Sequence, residues 1–150
     1  MTFYEREINR INNIIYSNKE QIESVIGVRN YIDNNYDTDL NLDLISRLRF
    51  ISKFHLLRLF KKYYGLTPKQ YLIYKRIEKS KEQLKNGMSV TKTCFAVGFE
   101  SLGSFSTLFK AKTGKSPSEF QKEQFSRSKL GSEFRHLETN KNYQDESNTN

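Results

Sequence analysis

The amino-acid sequence predicts an all-α fold in which two helix-turn-helix subdomains are joined by one long linker helix. Two observations predict it: an internal repeat of helix-ending and helix-starting residues, and apolar spacing of three and four between them. Residues 60–71 read FKKYYGLTPKQY and residues 109–120 read FKAKTGKSPSEF. At an offset of 49, Phe60, Lys61, Gly65, Thr67, Pro68 and Tyr71 fall on Phe109, Lys110, Gly114, Ser116, Pro117 and Phe120. Both prolines of the chain belong to this pattern. Each shared residue has a mechanical job. Gly65 and Gly114 take positive φ and end a helix. Thr67 and Ser116 cap the next one, with Pro68 and Pro117 at its first position, where a missing N–H costs nothing. Gln70 and Glu119 follow three residues later and complete a capping box in both copies.

In chain order, Phe3, Ile8, Ile11 and Ile15 suggest an amphipathic helix at about 3–16, and Ile22, Ile26, Tyr31 and Ile32 another at about 22–36. Asn41 caps a helix over 42–49, and a turn at Phe50–Ile51 leads to Ser52, the cap of a helix to about Tyr64. Residues 68–86 read as one helix ended by Gly87, with Ile73, Ile77, Ser80 and Leu84 on one face. In the second copy Ser89 caps 90–97, Gly98 supplies the turn, and Ser101 caps a helix to about Thr113. The organisation is therefore an N-terminal amphipathic helical extension (1–26), a first helix-turn-helix subdomain (27–67), a linker helix (68–87), a second subdomain (88–125) and a polar tail (126–150). The tail ends NKNYQDESNTN, has little to bury, and reads as disordered. Helix 3–16 either dimerises the protein or covers the first subdomain; covering is favoured, because tandem readers can bind as monomers.

Net charge is +8, and its distribution matters more than its sum. Residues 42–125 hold 17 basic and 6 acidic side chains, an excess of 11. Such a segment suits a polyanion, because each Lys or Arg that neutralises a phosphate releases condensed counterions. No apolar run approaches the roughly 18 residues of a membrane span, and the N-terminus lacks a signal-peptide core. One cysteine, Cys94, excludes an internal disulfide framework, so a cytoplasmic location and a buried structural thiol are expected. His55 and His136 are isolated, so no zinc site assembles; no cofactor loop and no catalytic set are legible. The length leaves no room for a separate sensor domain of about 150 residues.

Projected at 100° per residue, helix 52–64 turns Leu56, Leu59, Phe60 and Tyr63 to the core. Phe54, Arg58 and Lys61 fall opposite, flanked by Leu57 and Lys62. That face has the groups a major-groove reader needs: Arg can take guanine O6 and N7 together, and Phe or Leu can pack on thymine methyls. A solvated Arg58, and a Phe54 packed on helix 42–49, are the alternatives. In helix 101–113, Phe105, Leu108 and Phe109 turn inward, while Gly103, Thr107 and Lys110 turn outward with Ser104 and Ser106 at the margins. This second face is small and nearly uncharged, suited to phosphate contact more than base readout. The linker helix, about 28 Å long, approaches the roughly 34 Å between major-groove faces one DNA turn apart.

SKFHLLRLFKKYYGLTP (52–68) and AVGFESLGSFSTLFKAKTGKSP (96–117) resemble the two signatures of AraC/XylS-type bacterial transcription regulators, the first especially the stand-alone, MarA-like members. The resemblance covers about 28–122. It implies seven helices in two subdomains and binding to two adjacent major-groove segments of double-stranded DNA. By position it makes Phe54, Leu57 and Arg58, and then Leu102, Gly103, Ser104 and Thr107, base-reading residues. Lys53, Lys61, Lys62, Ser106 and Lys110 match backbone contacts or their neighbours. The chain departs from the pattern at Thr107, where Arg or Lys is frequent, at Leu102, often polar, and at Phe50, where the first turn commonly has a small residue.

The resemblance also implies activation more than repression, with RNA polymerase as a partner. A low-specificity DNA architectural factor is the alternative, and a protein-interaction module using helix 3–16 a third reading. A DNA-modifying enzyme finds no nucleophile in the sequence.

Overall fold

Thr2 and Glu5 start the first helix by bonding each other's backbone: the Thr2 N–H donates to Glu5 Oε2 at 2.8 Å, and the Glu5 N–H to Thr2 Oγ1 at 3.3 Å. The computed structural model describes the backbone of residues 1–49 and 51–145, and the side chains of these other than Tyr16 and 137–145. Helix α1 then runs unbroken over Phe3–Asn35. The two separate helices expected at 3–16 and 22–36 are one, because Ser17 to Gln21 between them include neither glycine nor proline to stop it.

The chain forms two compact units, Met1–Glu78 and Lys79–Asn150. In the first, α1 is followed by α2 (Leu42–Leu48), α3 (Lys53–Tyr64) and most of α4 (Pro68–Lys85). Asn41 caps α2 by accepting from the Asp43 and Leu44 N–H groups, and Ser52 caps α3 by accepting from His55. Gly65 at φ 73° ends α3, and Thr67 and Gln70 bond reciprocally at the start of α4. The turn at Phe50 lies outside the described residues. Val25, Val28, Ile32, Ile45, Leu56, Leu59 and Phe60 form the buried core of this unit.

A polar network pins the start of α4 to α1. The Tyr71 hydroxyl donates to Asp33 Oδ1 at 2.6 Å, Lys75 pairs with the same oxygen at 3.4 Å, and Arg29 lies over the Tyr64 ring at 5.4 Å. Arg76 donates to the Tyr36 and Thr38 carbonyls at 2.7 and 2.9 Å, closing the end of α1 against the same helix.

In the second unit the end of α4 is followed by α5 (Val90–Ala96), α6 (Leu102–Thr113) and α7 (Pro117–Asp145). Leu84, Cys94, Val97, Phe99, Phe105 and Phe109 are buried, and the rings of Phe99, Phe105, Phe109 and Phe120 meet in sequence at 5.2–5.7 Å. Ser89 and Ser101 cap α5 and α6, Gly98 turns between them at φ 96°, and Gly114 ends α6 at φ 81°. Gln121 donates to the Leu84 and Met88 carbonyls at 3.0 and 2.7 Å, satisfying the C-terminal end of α4.

Two further expectations need correction. Beyond residue 125, where the sequence predicts a disordered tail, α7 continues to Asp145; 146–150 lie outside the described residues. No proline interrupts the segment, and the Glu123–Arg127 pair at 2.7 Å spans one turn at its start. The covering role for helix 3–16 also fails, because Ile8, Ile11, Ile14 and Ile15 are 41–58% exposed. Among the described residues no helix is long and apolar enough to cross a membrane.

Candidate nucleic-acid interface

Helix α3 separates its residues by chemistry. Leu56 and Phe60 are fully buried and Leu59 nearly so, anchoring one side in the first unit's core. Phe54 is 79% exposed, which settles its direction: it points away from the core and does not pack on α2. Arg58, Lys61 and Lys62 are exposed, and Leu57 is half-buried between the two sides. Tyr63, projected to the core, is instead 38% exposed, with the Lys62 ammonium 5.5 Å above its ring. A tyrosine with an apolar body and a polar tip tolerates that margin.

Lys53, at the first position of α3, pairs with Asp43 of α2 at 3.3 Å. Both side chains are about half exposed, so the pair holds weakly and can exchange for a phosphate. No acidic residue occupies the first turn of α3. Its N-terminal amides and dipole are therefore uncompensated by any carboxylate of its own first turn, a favourable end for an anion.

Helix α6 repeats the arrangement with smaller residues. Phe105 and Phe109 are fully buried, and Leu108, expected inside, is half-buried. Leu102, Gly103, Ser104, Thr107 and Lys110 are exposed, and Ser106 is half-buried. A Cβ added at Gly103 meets nothing within 4 Å, so this part of the face is open. No acidic residue occupies the first turn of α6 either. Every residue assigned from the sequence to the two outward faces is thus exposed or half-buried, five on α3 beside Lys53 and six on α6.

Arg47 of α2 and Lys92 of α5 are further exposed basic residues, on the helices before α3 and α6. Sequence reasoning assigned them no role, and the repeat offers no signal for them, since at the offset of 49 Arg47 falls on Ala96 and Lys92 on Asp43. Cys94 is buried, and burial pushes its thiol up. Among the described residues no three His, Cys, Asp or Glu side chains are grouped to hold a metal ion.

This duplicated geometry has relatives. The helix-turn-helix domain family matches residues 45–123, more than half of the chain and both capped repeats. The chain belongs to this family, in its AraC/XylS type. An uncharacterized HTH-type transcriptional regulator of Pseudoalteromonas carrageenovora is 36% identical over 92 residues, covering 61% of this chain and 55% of that one. The chain spans about half or less of the length of the first curated relatives it matches. Among solved structures, the C-terminal domain of AraT, a response regulator from Geobacillus stearothermophilus, is 27% identical at a TM-score of 0.64. That match covers 67% of this chain and 84% of the other. The DNA-binding domain of AdpA, a global transcriptional factor solved with a target DNA, matches at 0.65 and 20% identity, covering 69% and 94%. At that identity the likeness concerns the AraC-type fold, all-α with two helix-turn-helix subdomains.

Proposed function

We propose that the chain is the DNA-binding part of a sequence-specific transcription regulator, with α3 and α6 entering adjacent major-groove segments of double-stranded DNA. The observation that carries this reading is the outward face of α3, where a 79% exposed Phe54 stands on the same side as exposed Arg58 and Lys61. A large exposed aromatic beside cations on one face of a helix is well suited to a groove, where it packs on thymine methyls while the cations meet guanine and phosphate. Phe54, Leu57 and Arg58 then read bases, and Lys53, Lys61 and Lys62 hold phosphates. On α6, Leu102, Gly103, Ser104 and Thr107 touch base edges, and Ser106 and Lys110 the backbone. The family resemblance favours activation through RNA polymerase.

The small, uncharged face of α6 favours one second reading, a low-specificity architectural factor. Selection of bound sequences from random DNA, followed by competition at about 150 mM salt, separates the two. A regulator prefers its selected site by about 10³ or more over random DNA. Near-equal competition by random duplex overturns sequence-specific regulation and leaves the architectural reading.

A further inference from the structure

The N-terminal half of α1 carries an apolar stripe that is left exposed among the described residues. Tyr4, Ile8, Ile11, Ile15, Asn18 and Ile22 follow steps of four, three, four, three and four, the heptad spacing of a coiled-coil seam. Ile8, Ile15 and Ile22 take every a seat; Tyr4, Ile11 and Asn18 take the d seats. Tyr4 is 73% exposed and the isoleucines of the seam 41–58%. The next d seat, Val25, is 1% exposed and belongs to the first unit's core. The same stripe is therefore core at its C-terminal end and bare for the 19 residues before it, about 28 Å of helix.

We infer that this stripe docks on the same stripe of a second copy of the chain, as a parallel two-stranded coiled coil. The area suffices. Half-exposed isoleucines offer roughly 50 Å² each, and Tyr4 about 100 Å² or more. With Ile14 beside the seam, the two copies remove about 700–800 Å² of apolar surface. At the roughly 65% apolar fraction of homodimer interfaces, that corresponds to about 1,100–1,200 Å² in all, the lower edge of the standard size for specific complexes.

Self-pairing also fits the polar residues. Parallel, in-register pairing sets Asn18 opposite the partner's Asn18, so the two amides bond each other. An antiparallel alignment that pairs Ile11 with the partner's Ile15 sets Asn18 against Ile8 and strands the amide. Across the parallel seam Glu7 faces the partner's Asn12, and Lys19 the partner's Ile14, so no like charges meet.

The pairing concerns α1 only and stands apart from the DNA-reading proposal. Sedimentation equilibrium on the full chain, without DNA, tests it at about 1–100 µM, a range that brackets micromolar association. The expected mass is twice 17.8 kDa. The double variant Ile11→Glu/Ile15→Glu is expected to sediment as a monomer with unchanged helicity and melting temperature, since both residues are exposed. Asn13→Glu, on the opposite side of α1, is expected to remain a dimer. Tyr4→Cys is expected to crosslink copy to copy under mild oxidation. A wild-type monomer at every concentration overturns the inference, as does a dimer indifferent to the double variant. A wild-type monomer whose melting temperature falls in the double variant also overturns it, by making the chain itself the occupant. A dimer whose Tyr4→Cys variant does not crosslink overturns the parallel register.

Discussion

At the scale of single residues, the two helices proposed to read DNA differ in what their side chains can distinguish. The Arg58 guanidinium can bond two acceptors of one guanine, whereas a Thr107 hydroxyl donates and accepts almost equally well and discriminates little. Arg58→Ala is therefore expected to cost about 1–3 kcal/mol of binding to the selected site and to relax preference at one base pair. Thr107→Ala is expected to cost less and to leave the preference unchanged. Titration of both variants against the selected site and its single-base mutants measures this; a uniform loss for Arg58→Ala across all sequences refutes base reading. Cys94 supplies a second residue-scale expectation. Its thiol is fully buried in the second unit, and burial pushes its pKa up, which lowers both access and thiolate population. Native protein should react with an aromatic disulfide reagent far more slowly than denatured protein, and labelling at the denatured rate would contradict the packing described.

Elements begin and end where side chains satisfy orphan backbone groups, and those signals were legible. Asn41, Ser52, Ser89 and Ser101 all accept from the N–H groups that their positions predict. Gly65 and Gly114 both sit in the left-handed region that ends a helix. Gly65→Ala and Gly114→Ala should each cost about 1–2 kcal/mol of stability by forcing a Cβ into that region. Denaturant unfolding reads this directly, and because neither site has a neighbour within 4 Å, a loss much larger than that would point to another cause. What the sequence hid has an equally local origin. Residues 17–21 contain no apolar side chain, so the periodicity lapses there although the backbone has no reason to stop. Past residue 125 composition signals a lack of burial, but a helix already anchored by Phe120 and Gln121 propagates without the cost of a new nucleus. The outward side of α3 was legible by projection for Phe54, Arg58 and Lys61, all of which are exposed. Projection erred at Tyr63 and Leu108, where an amphipathic ring and a stripe margin leave apolar residues partly wet. Near the start of α7, Glu123 accepts from both Lys115 and Arg127, and the Lys115 ammonium holds its carboxyl below the ordinary carboxylate range. A lowered native pKa contributes stability at neutral pH that disappears as pH falls through that lowered value. Glu123→Gln should therefore flatten the acid limb of melting temperature against pH and leave the alkaline limb alone; an unaltered acid limb would remove the linkage.

For the molecule as a whole, charge is distributed so that binding and pairing need not compete. The excess of 11 positive charges falls within residues 42–125, while residues 1–41 carry 4 basic and 7 acidic side chains. The α1 stripe proposed for self-association therefore carries little charge that a phosphate backbone would recruit, and the reading helices carry no apolar seam that would recruit a second copy. This separation makes the salt dependence of DNA binding a count of phosphate contacts on one protomer. Lys53, Lys61, Lys62 and Lys110 are four ammonium groups assigned to the backbone, and all are exposed. If each neutralises one phosphate, log K against log salt has a slope of about −3.6, at roughly −0.9 per phosphate on B-form DNA. Lys61→Ala and Lys110→Ala should each flatten that slope by about one while weakening all sequences alike, and Arg58→Ala should alter preference more than slope. Lys53→Ala should change it less, because its ammonium leaves Asp43 to reach the phosphate and returns there on dissociation. Fluorescence anisotropy across a salt series, with the selected duplex and a scrambled one, gives the wild-type slope and those of the four variants. A wild-type slope near zero would mean that the basic segment touches no phosphate, and the two reading helices could not then be held in a groove.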